Sequence, residues 1–161
     1  MTTRDAIAAL GLSAACSGGA PPPADSAQAS VSRIDSSAVV LNTGQGIGDP
    51  TRAVIRDSTA WKAFWAQAHA QIEPLPPLPA VNFADSMLLV AGLGTRSTGG
   101  YSVSIDSVAR GTTLRVFVTA VTPGPNCMTT MAITWPVQVV RVPRFDGSVD
   151  FAEAEREETC R

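Results

Sequence analysis

Histidine and charged residues are scarce in this chain of 161 residues. His69 is the one histidine, and 16% of the residues are charged. A zinc site built from several histidines is therefore excluded, and no acidic cluster has the spacing of a calcium loop. The net charge is −2 and the arginines are scattered singly, so no basic stripe is present for nucleic acid. We expect no metal, no cofactor, no nucleic-acid partner and no small-molecule substrate.

Catalytic groups are equally scarce. A Ser-His-Asp or Cys-His site would have to use His69, and the sequence has no G-x-S-x-G motif. His69 lies beside the apolar face of a predicted helix, and we interpret it as a surface or boundary residue. A dyad of Cys127 and His69 would lose its nucleophile if that thiol were oxidised. We therefore expect that the protein is not an enzyme.

Long apolar runs are also missing, since no stretch of about 18 apolar residues could form a conventional spanning helix. The N-terminus contains a different signal. Residues 6–15, AIAALGLSAA, follow Arg4, end in small side chains and run into Cys16, as in a bacterial lipoprotein signal. Asp5, the short apolar run and the leucine position depart from that pattern, and an untargeted, disordered N-terminus is the alternative. We interpret 1–16 as the signal, Cys16 as the lipidation site, and the location as the cell envelope, lipid-anchored and facing the periplasm or exterior.

Two further segments follow the signal. Residues 17–32 are rich in Gly, Pro, Ser and Ala without apolar periodicity, which indicates a disordered linker. Hydrophobic residues make up 45% of the sequence, enough to bury a core in one domain over 33–161.

The three cysteines fit an exported protein. If Cys16 carries lipid, Cys127 and Cys160 remain as a pair, and we predict a disulfide between them. Two free thiols are the alternative, because the sequence does not show whether the two Cα atoms approach each other.

One helix is predicted in the first half of the domain. Apolar residues recur at i, i+3, i+4 and i+7 behind the capping candidates Asp57 and Ser58, and Pro74 ends the pattern; they are Trp61, Phe64, Trp65, Ala68 and Ile72. We interpret the tryptophans as packing residues. The following EPLPPLPAVNF predicts an extended polyproline segment that crosses back over the helix.

The remaining patterns predict strands. SSAVVL (36–41) and TRAVIRD (51–57) flank a glycine-rich turn, which favours a hairpin or two edge-to-edge strands. MLLVAGL (87–93) indicates a central strand buried on both faces, and alternation over 101–106 and 114–118 indicates a second hairpin. A run over 137–142 changes phase, which indicates a bulge or two covered faces. VDF near 149–151 predicts a further edge strand, and we interpret the acidic tail 153–160 as a solvated face. The fold class is α+β, dominated by an antiparallel sheet or sandwich with one packed amphipathic helix.

Two rigid loops are the candidate binding elements. The first, GTRSTGGYS, combines glycines that permit close approach with a rigid aromatic contact, and the second, TPGPNCMTT, is stiffened by prolines. The candidate residues are Gly94, Thr95, Thr98, Gly99, Gly100, Tyr101, Pro123, Gly124 and Pro125. The alternative is a tight corner between strands with Tyr101 in the core.

GTRSTGGYSVSIDSV, LRVFVTAVTPGPNC and WPVQVVRVPR together resemble the C-terminal domain of the protease-complex-subunit PrcB family over residues 80–151. The aromatic helix and its proline-rich exit resemble the upstream part of bacterial members, which are commonly predicted lipoproteins. The resemblance implies a non-catalytic accessory subunit that supports or stabilises an extracytoplasmic protease complex or another exported protein.

A second resemblance suggests a different function. STGGY is similar to the threonine-glycine-aromatic loop of chagasin-type cysteine-protease inhibitors, with the PGPNC turn and Trp135 as companion wedges. Arg96 and Ser97 replace the asparagine and proline of the chagasin-type loop, so this resemblance covers one loop.

Overall fold

The computed structural model describes residues 30–34 and 38–160. Cys16 and residues 17–29 of the predicted linker lie outside these ranges. The elements in sequence order are β1 (Ser30–Arg33), β2 (Val39–Thr43), β3 (Pro50–Ile55), α1 (Ser58–Ala68), β4 (Ser86–Leu93), β5 (Ser102–Arg110), β6 (Leu114–Pro123), β7 (Pro136–Pro143) and β8 (Val149–Glu158). The strand β1 includes residues 30–32, which the composition assigns to the linker. None of the helices in these ranges is long and apolar enough to cross a membrane.

The strands form two four-stranded sheets, and the β-dominated fold class with one short helix is confirmed. Sheet A has the order β1-β5-β6-β8, and sheet B has the order β2-β7-β4-β3. All pairs are antiparallel except β6 and β8, which run parallel from Leu114 opposite Val149 to Pro123 opposite Glu158. The predicted hairpin of β5 and β6 is confirmed, with a register shift between Ile105 and Ser107.

The main core lies between the two sheets. Alternate residues of β4 face this core, and its members from sheet B include Met87, Leu89 and Val140. Sheet A contributes residues such as Val116 and Val118, which are 0% and 1% exposed. The two sheets therefore bury their facing sides against each other as a β-sandwich.

A second core lies on the other side of sheet B, where α1 packs. It joins Trp61 and Trp65 of the helix to Leu88 and Val90 of β4. The predicted central strand is confirmed, because β4 buries side chains on both faces. The phase change in β7 has the same cause, since Val137 and Val139 face the helix layer while Val140 and Val142 face the sandwich core.

The proline-rich segment crosses the helix as predicted. The indole Nε1 of Trp61 donates to the carbonyl of Pro79 at 3.0 Å, and that of Trp65 donates to Pro76 at 2.9 Å. Asp57 caps the helix by accepting from the Ala60 amide at 2.8 Å. A proline-rich segment without strand partners thus satisfies the only polar atoms of two large buried side chains.

Two sequence predictions about this half of the fold are wrong. β2 and β3 do not form a hairpin or pair edge to edge, because β7 and β4 lie between them and they occupy opposite edges of sheet B. The helix ends at Ala68, with His69 as its C-cap, so Ile72 lies beyond it and Pro74 does not terminate it. The loop between β2 and β3 instead packs against the end of the helix, where a Cβ on Gly46 would collide with the Gln67 carbonyl.

The C-terminal strand is longer than predicted. β8 extends from Val149 to Glu158 along the edge of sheet A, and the acidic residues of the tail are exposed on it. Cys127 and Cys160 form the predicted disulfide, with Cα atoms 5.0 Å apart. The bond joins the loop after β6 to the residues that follow β8.

Candidate functional site

The two loops that the sequence singles out are hydrogen-bonded to each other. The first connects β4 and β5, the second connects β6 and β7, and together they are called the paired loops. Arg96 and Thr134 exchange both backbone hydrogen bonds, at 2.8 and 2.9 Å, and the Gly99 amide donates to the Thr130 carbonyl at 3.0 Å. The Thr134 hydroxyl donates to the Thr98 carbonyl at 2.9 Å. Long-range hydrogen bonds therefore hold two separate stretches of sequence as one surface.

The double glycine is required by this pairing. Gly100 has φ of +87°, and a Cβ there would lie 3.0 Å from both Pro123 Cβ and Thr129 Cγ2. A Cβ on Gly99 would collide with the Thr130 hydroxyl. Both glycines thus let the first loop lie directly on the second, and a larger residue at either position would separate them.

The other candidate residues lie at the margins of this surface. The Thr95 amide donates to the Gly48 carbonyl at 2.9 Å, so Gly94 and Thr95 pack against the loop between β2 and β3. At the opposite end the Gly124 amide donates to the Glu158 carbonyl at 3.1 Å, beside exposed Pro125. Gly94 and Thr95 thus support the paired loops from one side, and Gly124 and Pro125 support them from the other.

Three exposed apolar side chains project from the second loop. Met128 is 100% exposed, Met131 91% and Ile133 58%. Three such side chains in one loop are candidates for contact with a partner, since large exposed apolar patches are typical of interaction sites. The sequence prediction missed them, because loop residues without periodicity give no indication of which side chains face solvent.

A shallow cleft of about 340 Å³ lies where the paired loops meet the two sheets. Its walls include Tyr101 and Trp135, both half-buried, together with Asn42 of β2. Tyr101 also packs against the sandwich core. The sequence left open whether Tyr101 faces a ligand or the core. In the structure its side chain does both, since it packs against the core and also lines the cleft.

A second cavity, of about 390 Å³, lies on the other side of the paired loops between β3 and β8. Arg52 and Glu153 form a bidentate ion pair across it, with Nε–Oε1 and Nη2–Oε2 both at 2.7 Å. The pair joins an edge strand of sheet B to an edge strand of sheet A. The hydrogen bond from Arg52 lowers the pKa of the Glu153 carboxyl.

We expect Glu153→Gln to lower the free energy of unfolding by about 0.5–1 kcal/mol at pH 7, because the pair is partly solvated. A lowered folded pKa stabilises the fold above the ordinary glutamate value of about 4.3. That stabilisation is lost as the pH falls through the lowered pKa, so the difference between the two proteins should vanish in acid. Urea denaturation at a series of pH values measures it.

Glu155→Gln is the matched control, since Glu155 lines the same cavity and forms no ion pair within the described part of the chain. The prediction fails if the Glu153→Gln and Glu155→Gln variants change stability equally at every pH.

The residues considered for catalysis are placed differently from the sequence expectation. His69 is buried, with 8% exposed, and not a surface or boundary residue. Its Nδ1 lies 2.9 Å from the Trp65 carbonyl, a contact in which Nδ1 must be the donor. Cys127 is held in the disulfide. Over residues 30–34 and 38–160, histidine, cysteine and acidic side chains form no group of three that could hold a metal ion.

The stretch from β4 to β7 is the part that can be compared with known proteins. Residues 87–143 match the PrcB C-terminal family model. The PrcB C-terminal match lies inside the 80–151 stretch of the sequence resemblance and contains the pairing contacts of both loops. It leaves out α1 and β8. No curated protein and no solved structure shows significant similarity to the sequence.

Proposed function

We propose that the protein is a non-catalytic, exported binding module, anchored by lipid on Cys16, that supports or stabilises an extracytoplasmic protease complex or another exported protein. The observation that carries the proposal is the joining of the paired loops into one surface with exposed Met128, Met131 and Ile133. The PrcB C-terminal match includes this surface and supports the protease-associated role.

The physical properties of the paired loops favour binding. Backbone hydrogen bonds fix their conformation before a partner arrives, so less entropy is lost on association. Methionine side chains are flexible and polarizable, and they adapt to an apolar partner surface. An ordered backbone that presents adaptable apolar side chains is therefore suited to holding a protein partner.

The placement of the reactive side chains agrees with a non-catalytic role. The Cys127 thiol is consumed by the disulfide, and the His69 ring nitrogen Nδ1 is committed to a backbone carbonyl. A Cys127–His69 dyad therefore has neither a free thiol nor an available Nδ1. The proposal needs no chemistry from either residue.

We expect the purified full-length protein to enrich one or more exported proteins from solubilised membranes. In the triple variant Met128→Ser, Met131→Ser, Ile133→Ser, that enrichment should fall at least about tenfold. Removing exposed apolar side chains takes away partner contacts without opening the core. Quantitative mass spectrometry of the bound fractions measures the enrichment.

Leu75→Ser with Leu78→Ser is the matched control, because these side chains are 52% and 42% exposed on the proline-rich segment, outside the paired loops. This control should bind as the parent protein does. Equal enrichment by the parent and the loop variant would exclude the paired loops as the binding surface, and absence of any enriched protein would contradict the proposed function.

Inhibition of cysteine proteases is the second candidate function, and one observation favours it. Tyr101 and Trp135 line the same cleft, and Pro123 contacts Gly100, so the three elements of the chagasin-like resemblance are neighbours. Titration of papain with the full-length protein separates the two functions. Inhibition of papain at micromolar protein would favour the inhibitor function. No inhibition at that concentration would exclude the inhibitor function.

A further inference from the structure

Arg96 differs from the other half-buried arginines of the described residues. Four arginines are half-buried there, and three of them, Arg52, Arg56 and Arg144, donate to carboxylates or backbone carbonyls. The guanidinium of Arg96 has no such acceptor, and its Nε is buried without a hydrogen bond. The buried unpaired atom is Nε alone, so the two Nη groups, which have no acceptor within the described residues and are not buried, are the donors that a partner can reach.

The position of Arg96 is nevertheless fixed. Its backbone is paired with Thr134 inside the paired loops, and its guanidinium carbon lies 5.4 Å from the centre of the Tyr101 ring. The aromatic ring stabilises the cation through its face, and since Nε is buried, the edge formed by Nη1 and Nη2 remains for hydrogen bonds. Arg96 also lines the cavity that contains the Arg52–Glu153 pair.

The charges around this cavity select the ligand. Arg52 is paired with Glu153, whereas Arg96 lies within 4.0 Å of no carboxylate in the described part of the chain, Glu155 of the same cavity included. Glu153 and Glu155 line the same cavity and would repel a multiply charged anion such as a phosphate. A planar, singly charged carboxylate fits a guanidinium edge with two parallel hydrogen bonds.

We propose that Arg96 is a binding residue for one carboxylate group of a protein partner, supplied either by an Asp or Glu residue or by the partner's terminal carboxylate. This inference rests on the proposed function and gives the chemistry of one contact on the same paired loops. Tyr101 acts as a positioning residue, since it holds the guanidinium from its face.

The test uses the full-length protein with its disulfide intact, labelled with ¹⁵N, and follows the Arg96 Nε–Hε resonance by NMR. N-acetylglycylglycine supplies a terminal carboxylate, N-acetylglutamate α-amide supplies the γ-carboxylate of an acidic residue, and N-acetylglycylglycine amide supplies none. We expect a saturable shift with at least one carboxylate probe and none with the amide. The probe that binds more tightly identifies the source of the carboxylate.

Arg96→Gln should weaken the carboxylate probe at least about tenfold, followed through the backbone amides of residues 98–101. Arg110→Gln is the matched control. Arg110 also lies over an aromatic ring, 5.2 Å from the centre of Phe145, but donates to the carbonyls of Pro143 and Arg144. Its replacement should leave the probe affinity unchanged.

The proposal is overturned if neither carboxylate probe gives a saturable shift, if the amide probe shifts the resonance equally, or if Arg96→Gln binds as the parent does. These results are distinct from failure of the proposed function. A parent protein that enriches a membrane partner yet binds no carboxylate probe would remove the Arg96 site and leave the binding module in place.

Discussion

Replacing Trp61 by alanine is expected to lower the free energy of unfolding by about 3–5 kcal/mol. Trp61 is 1% exposed and lies where α1, the outer face of sheet B and the proline-rich segment meet. Its ring packs edge-on against Trp65, with centroids 5.3 Å apart, and its Nε1 holds the Pro79 carbonyl. Truncation removes the apolar burial of a large aromatic residue, leaves a cavity and frees one backbone acceptor.

Chemical denaturation of the full-length protein measures this effect, and two further variants separate its causes. Trp61→Phe keeps an aromatic ring but loses the indole donor, so it should cost about 1–2 kcal/mol. Trp135→Ala makes the same truncation at a half-buried position on the cleft, where less contact area is lost. A loss at Trp61 no larger than that at Trp135 would contradict the assignment of Trp61 as the centre of the helix layer.

The elements that the sequence predicts well are those whose burial repeats from residue to residue. β4 is buried on both faces, and its continuous apolar run predicts this without knowledge of its neighbours. The helix pattern predicts Trp61 and Trp65 as packing residues for the same reason. Ile72 fits the helical spacing, but the backbone turns after Ala68, and spacing alone does not show where a helix ends.

Strand partners are predicted less well, because a glycine-rich segment can form a tight turn between paired strands or can allow close packing elsewhere. The turn between β2 and β3 suggests a hairpin, whereas Gly46 is needed for close contact with the end of α1. Similarly, the parallel pairing of β6 with β8 joins residues far apart in sequence, and the acidic tail gives no sign of it. Local composition therefore predicts turns and the exposure of side chains, but it does not predict which strands pair.

In the candidate site, too, the sequence predicts local features but not contacts between distant segments. Glycines and prolines identify both loops, but their pairing through Thr130 and Thr134 depends on contacts between distant segments. In the sequence, Arg96 differs from its surroundings only as a departure from the chagasin-like loop. The absence of an acceptor depends on how the folded chain surrounds its guanidinium, which the sequence does not encode locally.

Removing the disulfide is the second large effect, expected to lower the free energy of unfolding by about 3–4 kcal/mol on the loop-entropy relation. Cys127 and Cys160 are separated by 33 residues, so the bond restricts a long segment of the unfolded protein. Cys127→Ser with Cys160→Ser removes both thiols together, so that neither cysteine is left as a free thiol that could form a disulfide between molecules. Denaturation of this double variant and of Cys16→Ser measures the loss, and Cys16→Ser should leave the stability of the domain unchanged.

Hydrogen exchange at the Gly124 amide shows whether the disulfide acts on the unfolded state or on the folded end of β8. This amide donates to the Glu158 carbonyl beside the disulfide. If the disulfide stabilises by restricting the unfolded state, the double variant keeps this local protection relative to its new global stability. If it instead holds the end of β8 in place, Gly124 exchanges faster than global unfolding allows. Because Gly124 borders the paired loops, the second result would also predict weaker binding by the reduced protein. A double variant as stable as the parent would contradict both accounts.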